Sequence, residues 1–287
     1  MGKAQHMQTQ PYQLSVRSNE IIQNSRYQLS AWAENILTFI IARIDIFAEN
    51  FTKLEFYIQD FFRDCGIKSD GSYNYTMFKE SLTMLQSNVM WLDVINEKGK
   101  RAERLVHWLR DAEIEVGTGR VTVLIHEDMA PYLLNQKKNF TTIENIYFLR
   151  LGKAYDKRLY LYCKSRQFKK LESYQFTIPI STLKQVMGEG TLSEKGIFTD
   201  NTFIDWGKFR ERRLDPAIQR INENTDIDIS YIPIKSGRKV VDIEFTVTTK
   251  DMVRRLEVHQ RLRLGEIPDP GGILPLEDLS LAVTDMQ

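Results

Sequence analysis

Asp205-Trp206-Gly207-Lys208-Phe209-Arg210-Glu211-Arg212-Arg213-Leu214-Asp215-Pro216-Ala217-Ile218-Gln219-Arg220-Ile221-Asn222 is the stretch on which the reading of this chain turns. Wound as one helix at about 100° per residue, it gathers Trp206, Leu214, Ala217, Ile218 and Ile221 on one side, with Phe203 just ahead of them. That side faces a core. The opposite side carries Asp205, Lys208, Arg212, Asp215 and Gln219, with Arg213 and Arg220 at one margin and Glu211 at the other. Arg210 projects near the core face, where its guanidinium is expected to snorkel or pair. Pro216 either kinks the helix or, with Asp215 as N-cap, begins a separate one. Two alternating segments follow, Ile227–Ile232 and Val241–Val247, and the Ser236-Gly237 turn between them is a hairpin signal.

Upstream of this helix, Phe176-Thr177-Ile178 reads as a strand. Ser181–Met187 reads as a short helix capped by Ser181 and ended by Gly188, with a loop containing Gly190 and Gly196 beyond it. Asn145–Cys163 reads as a helix with Phe148, Leu149, Leu159 and Tyr162 inward. The first half shows a similar order. Ser18–Ile46 is expected to be a helix with Ser18 as N-cap, followed by strand-like Phe56-Tyr57-Ile58, about 120 residues before Phe176. Gln59–Cys65 is a short helix ended by Gly66, and Lys68–Ser72 is a turn. A helix over Asn74–Ser87 and strands near Val89–Ile95, Arg104–Leu109 and Val121–Ile125 complete the half, with turns at Asn96–Lys100 and Gly117–Gly119. Helix, short helix, turn, longer helix and β-hairpin is the order of a winged helix-turn-helix. The fold class is therefore α+β, with two tandem winged-helix domains over residues 14–135 and 140–250. They join at Asn135–Asn139, and residues 251–287, rich in Pro and Gly at 265–272, are expected to be a flexible tail.

The chain has 287 residues, enough for two domains that each bury a core. No apolar run approaches the length of a membrane span; the best, Ile36–Ile46, is broken by Arg43 and Asp45. The first fifteen residues, MGKAQHMQTQPYQLS, lack the apolar centre of a signal peptide. Cys65 and Cys163 have no metal-ligand spacing and read as reduced core residues, so a cytoplasmic location is expected. The formal net charge of +1 hides an asymmetry: residues 141–250 hold 19 Lys and Arg against 14 Asp and Glu. Within them, Arg150–Lys170 holds eight basic residues (Arg150, Lys153, Lys157, Arg158, Lys164, Arg166, Lys169 and Lys170) against the single acid Asp156. Such a run is either a phosphate-attracting surface or an ordinary solvated helix face.

The outer face of the Asp205–Asn222 helix suits base reading, since Arg and Lys donate to guanine O6 and N7 and a carboxylate accepts from cytosine N4. Lys235-Ser236-Gly237-Arg238-Lys239 at the hairpin tip would be a basic wing for phosphate or minor-groove contact. Taken alone, the same residues also suit a solvated helix and a Lys-rich turn that resists edge pairing. Catalysis finds no support: His6, His107, His126 and His259 are scattered in sequence, and no tyrosine sits beside a ligand set. Gly152 belongs to no phosphate-binding loop. No cofactor or metal is expected.

Several segments taken together resemble the plasmid replication initiators of the iteron-binding Rep family, over roughly residues 14 to 250. They are Val16–Ile22, Arg26–Ser30, Asp156-Lys157-Arg158-Leu159-Tyr160, Phe209–Leu214, Ala217-Ile218, Ile221-Asn222, Thr225-Asp226 and Lys235–Val240. Pro216 and Arg220 depart from the family pattern. The resemblance implies binding to direct repeats in double-stranded origin DNA, opening of an adjacent AT-rich region and recruitment of host replication proteins. It also implies a dimer, joined through the first domain, that represses its own promoter. By position it assigns base reading to Asp205, Lys208, Glu211 and Arg212, and backbone contact to Arg213, Arg238 and Lys239, with Lys235 and Arg158 in the same basic surface. Tyr75 and Lys79 of the first-domain helix would add a second contact. A winged-helix transcription regulator with no replication role would make the same DNA contacts, because fold alone does not give function.

Overall fold

In the computed structural model, residues 14–67, 72–167, 171–200 and 205–264 are described. Strand β1 (Leu14–Ser18) comes first, and the expected helix over Ser18–Ile46 is divided into helix α1 (Asn19–Asn24), the two-residue β2 (Ser25–Arg26) and helix α2 (Ala31–Ile41). Ser18 does cap, its Oγ accepting from the Glu20 N–H at 3.1 Å. A second serine cap restarts the helix, with Ser30 Oγ accepting from the Ala33 N–H at 3.1 Å. Between the two caps the chain is drawn into sheet pairing, a tertiary preference that overrides helical spacing. Next come β3 (Leu54–Tyr57), α3 (Ile58–Cys65) and α4 (Ser72–Ser87), then two hairpins. These are β4 (Val89–Ile95) with β5 (Arg101–His107) and β6 (Leu109–Ile114) with β7 (Arg120–Ile125). The expected strand over Arg104–Leu109 is thus the end of one sheet and the start of another. The sheets run β2-β4-β5 and β3-β7-β6, and buried Trp108 sits at the crossing.

A 3-10 turn (Glu127–Met129) and α5 (Ala130–Leu133) lead to β8 (Phe140–Glu144), which pairs antiparallel with β1 and so returns to the start of the chain. Asn145–Cys163 is two helices, α6 (Asn145–Arg150) and α7 (Ala154–Ser165), broken at Leu151-Gly152-Lys153. The second winged helix follows as β9 (Ser173–Pro179), α8 (Ile180–Met187) and the small hairpin β10 (Thr191–Leu192) with β11 (Phe198–Thr199). Then α9 (Trp206–Phe209), a π turn (Arg210–Leu214) and α10 (Asp215–Asn224) form one continuous helix. The wing is β12 (Ile227–Ser236) with β13 (Lys239–Thr249), in a sheet ordered β12-β13-β9. Residues 252–264, expected to be flexible, form helix α11 (Met252–Leu264), whose Leu256, Val258, His259 and Leu262 are buried. Leu256, His259 and Leu262 keep a helical spacing on the buried side. Ser181 does not cap α8; the cap position is Pro179 and no side chain bonds there. Of the expected Lys68–Ser72 turn, Ser72 begins α4, and residues 68–71, like Lys169, Lys170 and Phe203, lie outside the described residues.

The internal repeat is real but displaced. Each half runs a strand straight into an eight-residue helix ended by a left-handed glycine, Gly66 (φ 67°) or Gly188 (φ 75°). Ile58 therefore matches Ile180 and Gly66 matches Gly188, a spacing two residues longer than the Phe56–Phe176 match implies. Both glycines also receive a guanidinium. A Cβ at Gly66 would fall 1.5 Å from Arg150 Nη1, and one at Gly188 2.6 Å from Arg158 Nη1. A side chain at either position would meet both a disfavoured φ and an occupied space.

The two halves are not separate cores. Helix α7 packs against α1 and α2 of the first half and α8 and α10 of the second. Arg158 donates from Nε to Glu34 Oε1 at 3.1 Å and from Nη1 to the Tyr27 carbonyl at 2.8 Å, while lying 4.1 Å over the Tyr27 ring. Gln23 and Asn19 of α1 donate to the Ser165 carbonyl at the end of α7, at 3.0 and 3.2 Å. Gln28 reaches the Gly190 carbonyl at 2.9 Å, and Asn35 reaches the Leu149 carbonyl at 3.1 Å. Cys65 and Cys163 are buried free thiols, and burial pushes the Cys65 thiol up to about 12.

Lys157 is fully buried, with Nζ donating to the Phe148 carbonyl at 2.5 Å and lying 4.7 Å over the Phe148 ring. Burial lowers its ammonium to about 7, against roughly 10.4 in an unfolded chain. Between those values the unfolded chain holds a proton that the folded chain lacks, so this residue makes stability rise with pH across that window. The urea midpoint should therefore rise from pH 7 to pH 9.5, and in Lys157→Met that rise should be visibly smaller. An identical rise in both proteins would refute the assignment.

Candidate nucleic-acid interface

The long helix of the second half begins where the sequence places it. Asp205 is the N-cap, its Oδ1 accepting from the Lys208 N–H at 2.9 Å. A continuous α-helix then fails for a reason internal to the sequence. Pro216 has no N–H to give the Arg212 carbonyl one turn back, and that carbonyl instead accepts from the Arg213 guanidinium at 3.1 Å. The chain widens to a π turn over Arg210–Leu214, so buried Phe209 and Leu214 stand five residues apart, while Leu214, Ala217, Ile218 and Ile221 keep α spacing. Pro216 thus neither kinks the helix into two nor starts a new one. The single-helix projection puts Arg210 near the core face and leaves Phe209 unassigned; the structure corrects both. Phe209 belongs fully to the core, and Arg210 is exposed, with Nε 3.5 Å from Asp215 Oδ2.

Asp205, Lys208, Glu211 and Arg212 are all exposed on this helix. Arg213 is half-buried, its Nε 2.6 Å from Glu189 Oε1 and its guanidinium 5.2 Å from the Tyr155 ring. It braces the helix against the end of α8. Asp215 accepts from the Tyr231 hydroxyl at 2.6 Å, tying the helix to the base of the wing. The Tyr231 hydroxyl is held above its ordinary range by burial and by that carboxylate. At the wing tip Lys235, Arg238 and Lys239 are exposed around Gly237, and a register shift at Ile234/Lys235 turns the tip. Ile232 and Ile234 are exposed along the wing stalk. In the first half, Lys79 is exposed on α4 with Nζ 5.6 Å from the Tyr75 ring. Tyr75 itself packs partly against the core, whereas Tyr73, which the sequence reading passed over, stands clear of the surface.

The basic segment from Arg150 to Lys170 requires a correction. Arg158 was placed in the DNA-facing surface, yet it is 6% exposed and committed to Glu34 and Tyr27. Lys157 is wholly inside, and Lys164 Nζ lies 2.6 Å from Asp226 Oδ2. Arg150 sits against Gly66, where burial lowers its guanidinium. Among the described residues of the segment, Lys153 and Arg166 are exposed. A charge run on a helix packed from two sides turns inward at whatever positions find acids or carbonyls, which a composition count does not reveal.

Comparison with known proteins bears on this architecture. The family model described as Initiator Replication protein, WH1, matches residues 14–164, and the model described as Initiator Rep protein, WH2, matches residues 180–247. The chain belongs to the initiator replication protein family. Its two winged-helix domains are the family's WH1 and WH2, and the replication role takes precedence over that of a regulator without one. The crystal structure of Pi initiator protein in complex with iteron DNA is similar, with a TM-score of 0.71 and 19% identity over 85% of this chain and all of that one. The WH1 domain of MSBI1.176, a replication protein isolated from a multiple sclerosis patient, aligns at TM-score 0.28. It is 17% identical over 35% of this chain and 76% of its own, too little to bear on the fold. No curated protein matches the chain in sequence. Among the described residues no helix is long and apolar enough to cross a membrane.

In this initiator, Arg220 is a structural residue. It makes a two-pronged pair with Asp156 of α7, Nε and Nη2 lying 2.6 and 2.9 Å from the two carboxylate oxygens. The same guanidinium donates to the Tyr155 hydroxyl at 3.1 Å. Asp156 is fully buried; burial raises its carboxyl while the Arg220 hydrogen bonds pull it back down. Removing Arg220 strands a buried carboxylate, so Arg220→Ala should destabilise the protein by about 3 kcal/mol, the lower end for a broken buried pair, since Arg220 is itself partly exposed. Urea denaturation at neutral pH checks this, and a loss under about 1 kcal/mol would show that the pair does not hold the helix.

Proposed function

We propose that this initiator binds directly repeated double-stranded sites at a plasmid origin, reading bases with the exposed face of the WH2 helix. The observation that carries the reading is that face itself. Asp205, Lys208, Glu211 and Arg212 all stand exposed on a helix whose other sides are anchored to α7, α8 and the wing. A rigid helix presenting donors and acceptors in one plane is what major-groove readout requires. Lys235, Arg238 and Lys239 on the wing, with Arg213 at the helix margin, contact backbone phosphates. Lys79 and Tyr75 of WH1, with Tyr73 beside them, contribute a second contact. Arg158 is omitted from the set because its charge is spent within the protein. The overall likeness to Pi initiator protein, whose crystal structure contains iteron DNA, supports this mode of binding.

Within the same proposal, monomers on the repeats help open an adjacent AT-rich duplex and recruit host replication proteins in the cytoplasm. A dimer joined through WH1 represses the initiator's own promoter. Chemistry on the DNA is not part of the role.

Titration on the DNA flanking the gene, against a scrambled duplex at one fixed salt concentration, should show a preference of about a thousandfold or more. Footprint protections should recur in one orientation. Equal affinity for both duplexes would remove the assigned function while leaving the fold intact. Arg212→Ala should lose on the order of 1–3 kcal/mol on the repeat and much less on random DNA. Equal losses on both would reassign Arg212 to the backbone. The double variant Arg238→Ala/Lys239→Ala should weaken both duplexes alike and lower the salt slope by roughly two.

A further inference from the structure

The four histidines are scattered in sequence, but the fold brings two of them together away from the DNA-facing helix. His107 ends β5, and His126 follows β7 and caps the 3-10 turn that contains Asp128. Their Nδ1 atoms approach the same carboxylate oxygen, Asp128 Oδ2, at 3.4 and 3.1 Å, and the two rings lie 4.9 Å apart at a tilt of 34°. One ligand atom from each of the three residues lies within 4.8 Å of the others.

Two features of this cluster point to a cation. Donor atoms around a tetrahedral ion with bonds of about 2.0 Å stand roughly 3.3 Å apart, which is the spacing each imidazole nitrogen keeps from the shared oxygen. In addition, His126 Nδ1 accepts from the backbone N–H of Asp128 at 3.2 Å. A nitrogen that accepts carries a lone pair rather than a proton, so it meets the carboxylate oxygen at 3.1 Å as one acceptor facing another. That contact is unfavourable until a positive charge is shared between them, and an ion bound to both would replace the single backbone hydrogen bond. A further carboxylate is close: Glu127 Oε2 lies 4.0 Å from His126 Nδ1 and is exposed, with Arg110 at 3.8 Å as its competing partner.

We infer that His107, His126 and Asp128 form a binding site for a divalent transition-metal ion of the zinc class, with Glu127 available as a fourth ligand. Imidazole and carboxylate together suit zinc, nickel, cobalt or copper rather than magnesium or calcium. The site spans the ends of β5 and β7, which belong to different sheets of WH1. A bound ion therefore fastens β5, which lies at the edge of its sheet, to the turn after β7. This inference stands apart from the DNA-binding proposal and does not depend on it.

The test is titration of the full chain, freed of metal and without any histidine tag, with zinc chloride by calorimetry, followed by cobalt(II) absorption. The expected result is one zinc per chain, a visible cobalt band of a low-coordinate site, and a higher melting temperature with zinc. His107→Ala is the first variant, since the side chain is exposed and its loss leaves the cap intact. It should weaken zinc binding by more than about tenfold, at least what the loss of a supporting residue around a metal ligand does. Asp128→Asn should do the same, while His6→Ala should bind like the parent. Absence of one-to-one zinc binding, or equal binding by His107→Ala and the parent, would overturn the site.

Discussion

Three consecutive charged side chains, Asp156, Lys157 and Arg158, are buried near the start of α7, and the rest of the molecule is arranged around satisfying them. Each points to a different element. Asp156 takes both prongs of Arg220 on the long WH2 helix, Lys157 donates to the carbonyl of Phe148 in α6, and Arg158 reaches Glu34 in α2 and the Tyr27 carbonyl. A buried charge without its partner is far more costly than a missing apolar contact. The three partners therefore cannot drift independently: the long WH2 helix, α6 and α2 are referred to one another through a single turn of α7. This supports treating the two domains as one body, with a shared apolar core running through both.

The same logic governs the long helix of WH2. Pro216 removes one backbone donor inside it, and the structure answers with a π turn and a guanidinium from Arg213 on the vacant carbonyl. Widening the helix by one residue rotates everything before Leu214 relative to everything after it. Phe209 goes to the core, Arg210 comes out, and the residues proposed to read bases remain on the outer face. Π turns are rare in helices and recur at functional sites, where they set the direction of side chains.

Charge is distributed by these internal demands. The basic excess of residues 141–250 is partly absorbed by Asp156, Asp226, Glu34 and Glu189, and what remains at the surface includes the wing tip, the outer face of the long WH2 helix, Lys153 and Arg166. Local field, not net charge, is the quantity that matters to a polyanion.

Much was legible in the sequence because it depends on short-range physics. Gly66 and Gly188 marked the ends of their helices, Ser18 marked a cap, Ser236-Gly237 marked the wing, and period-2 and helical spacing placed most strands and helices. The order of these signals determined two winged helices in tandem, and helical spacing put Asp205, Lys208 and Arg212 on the outer face with Glu211 at its margin. Only the tertiary structure decided where long-range partners competed with local pattern. It divided Ser18–Ile46 through pairing of β2 with β4, turned Arg158 inward to Glu34, and packed α11 where a tail was expected. It also set His107 beside His126. Spacing along a chain encodes which face of an element a residue occupies, but the identity of what lies across that face depends on contacts between distant residues, and those form only when the fold closes.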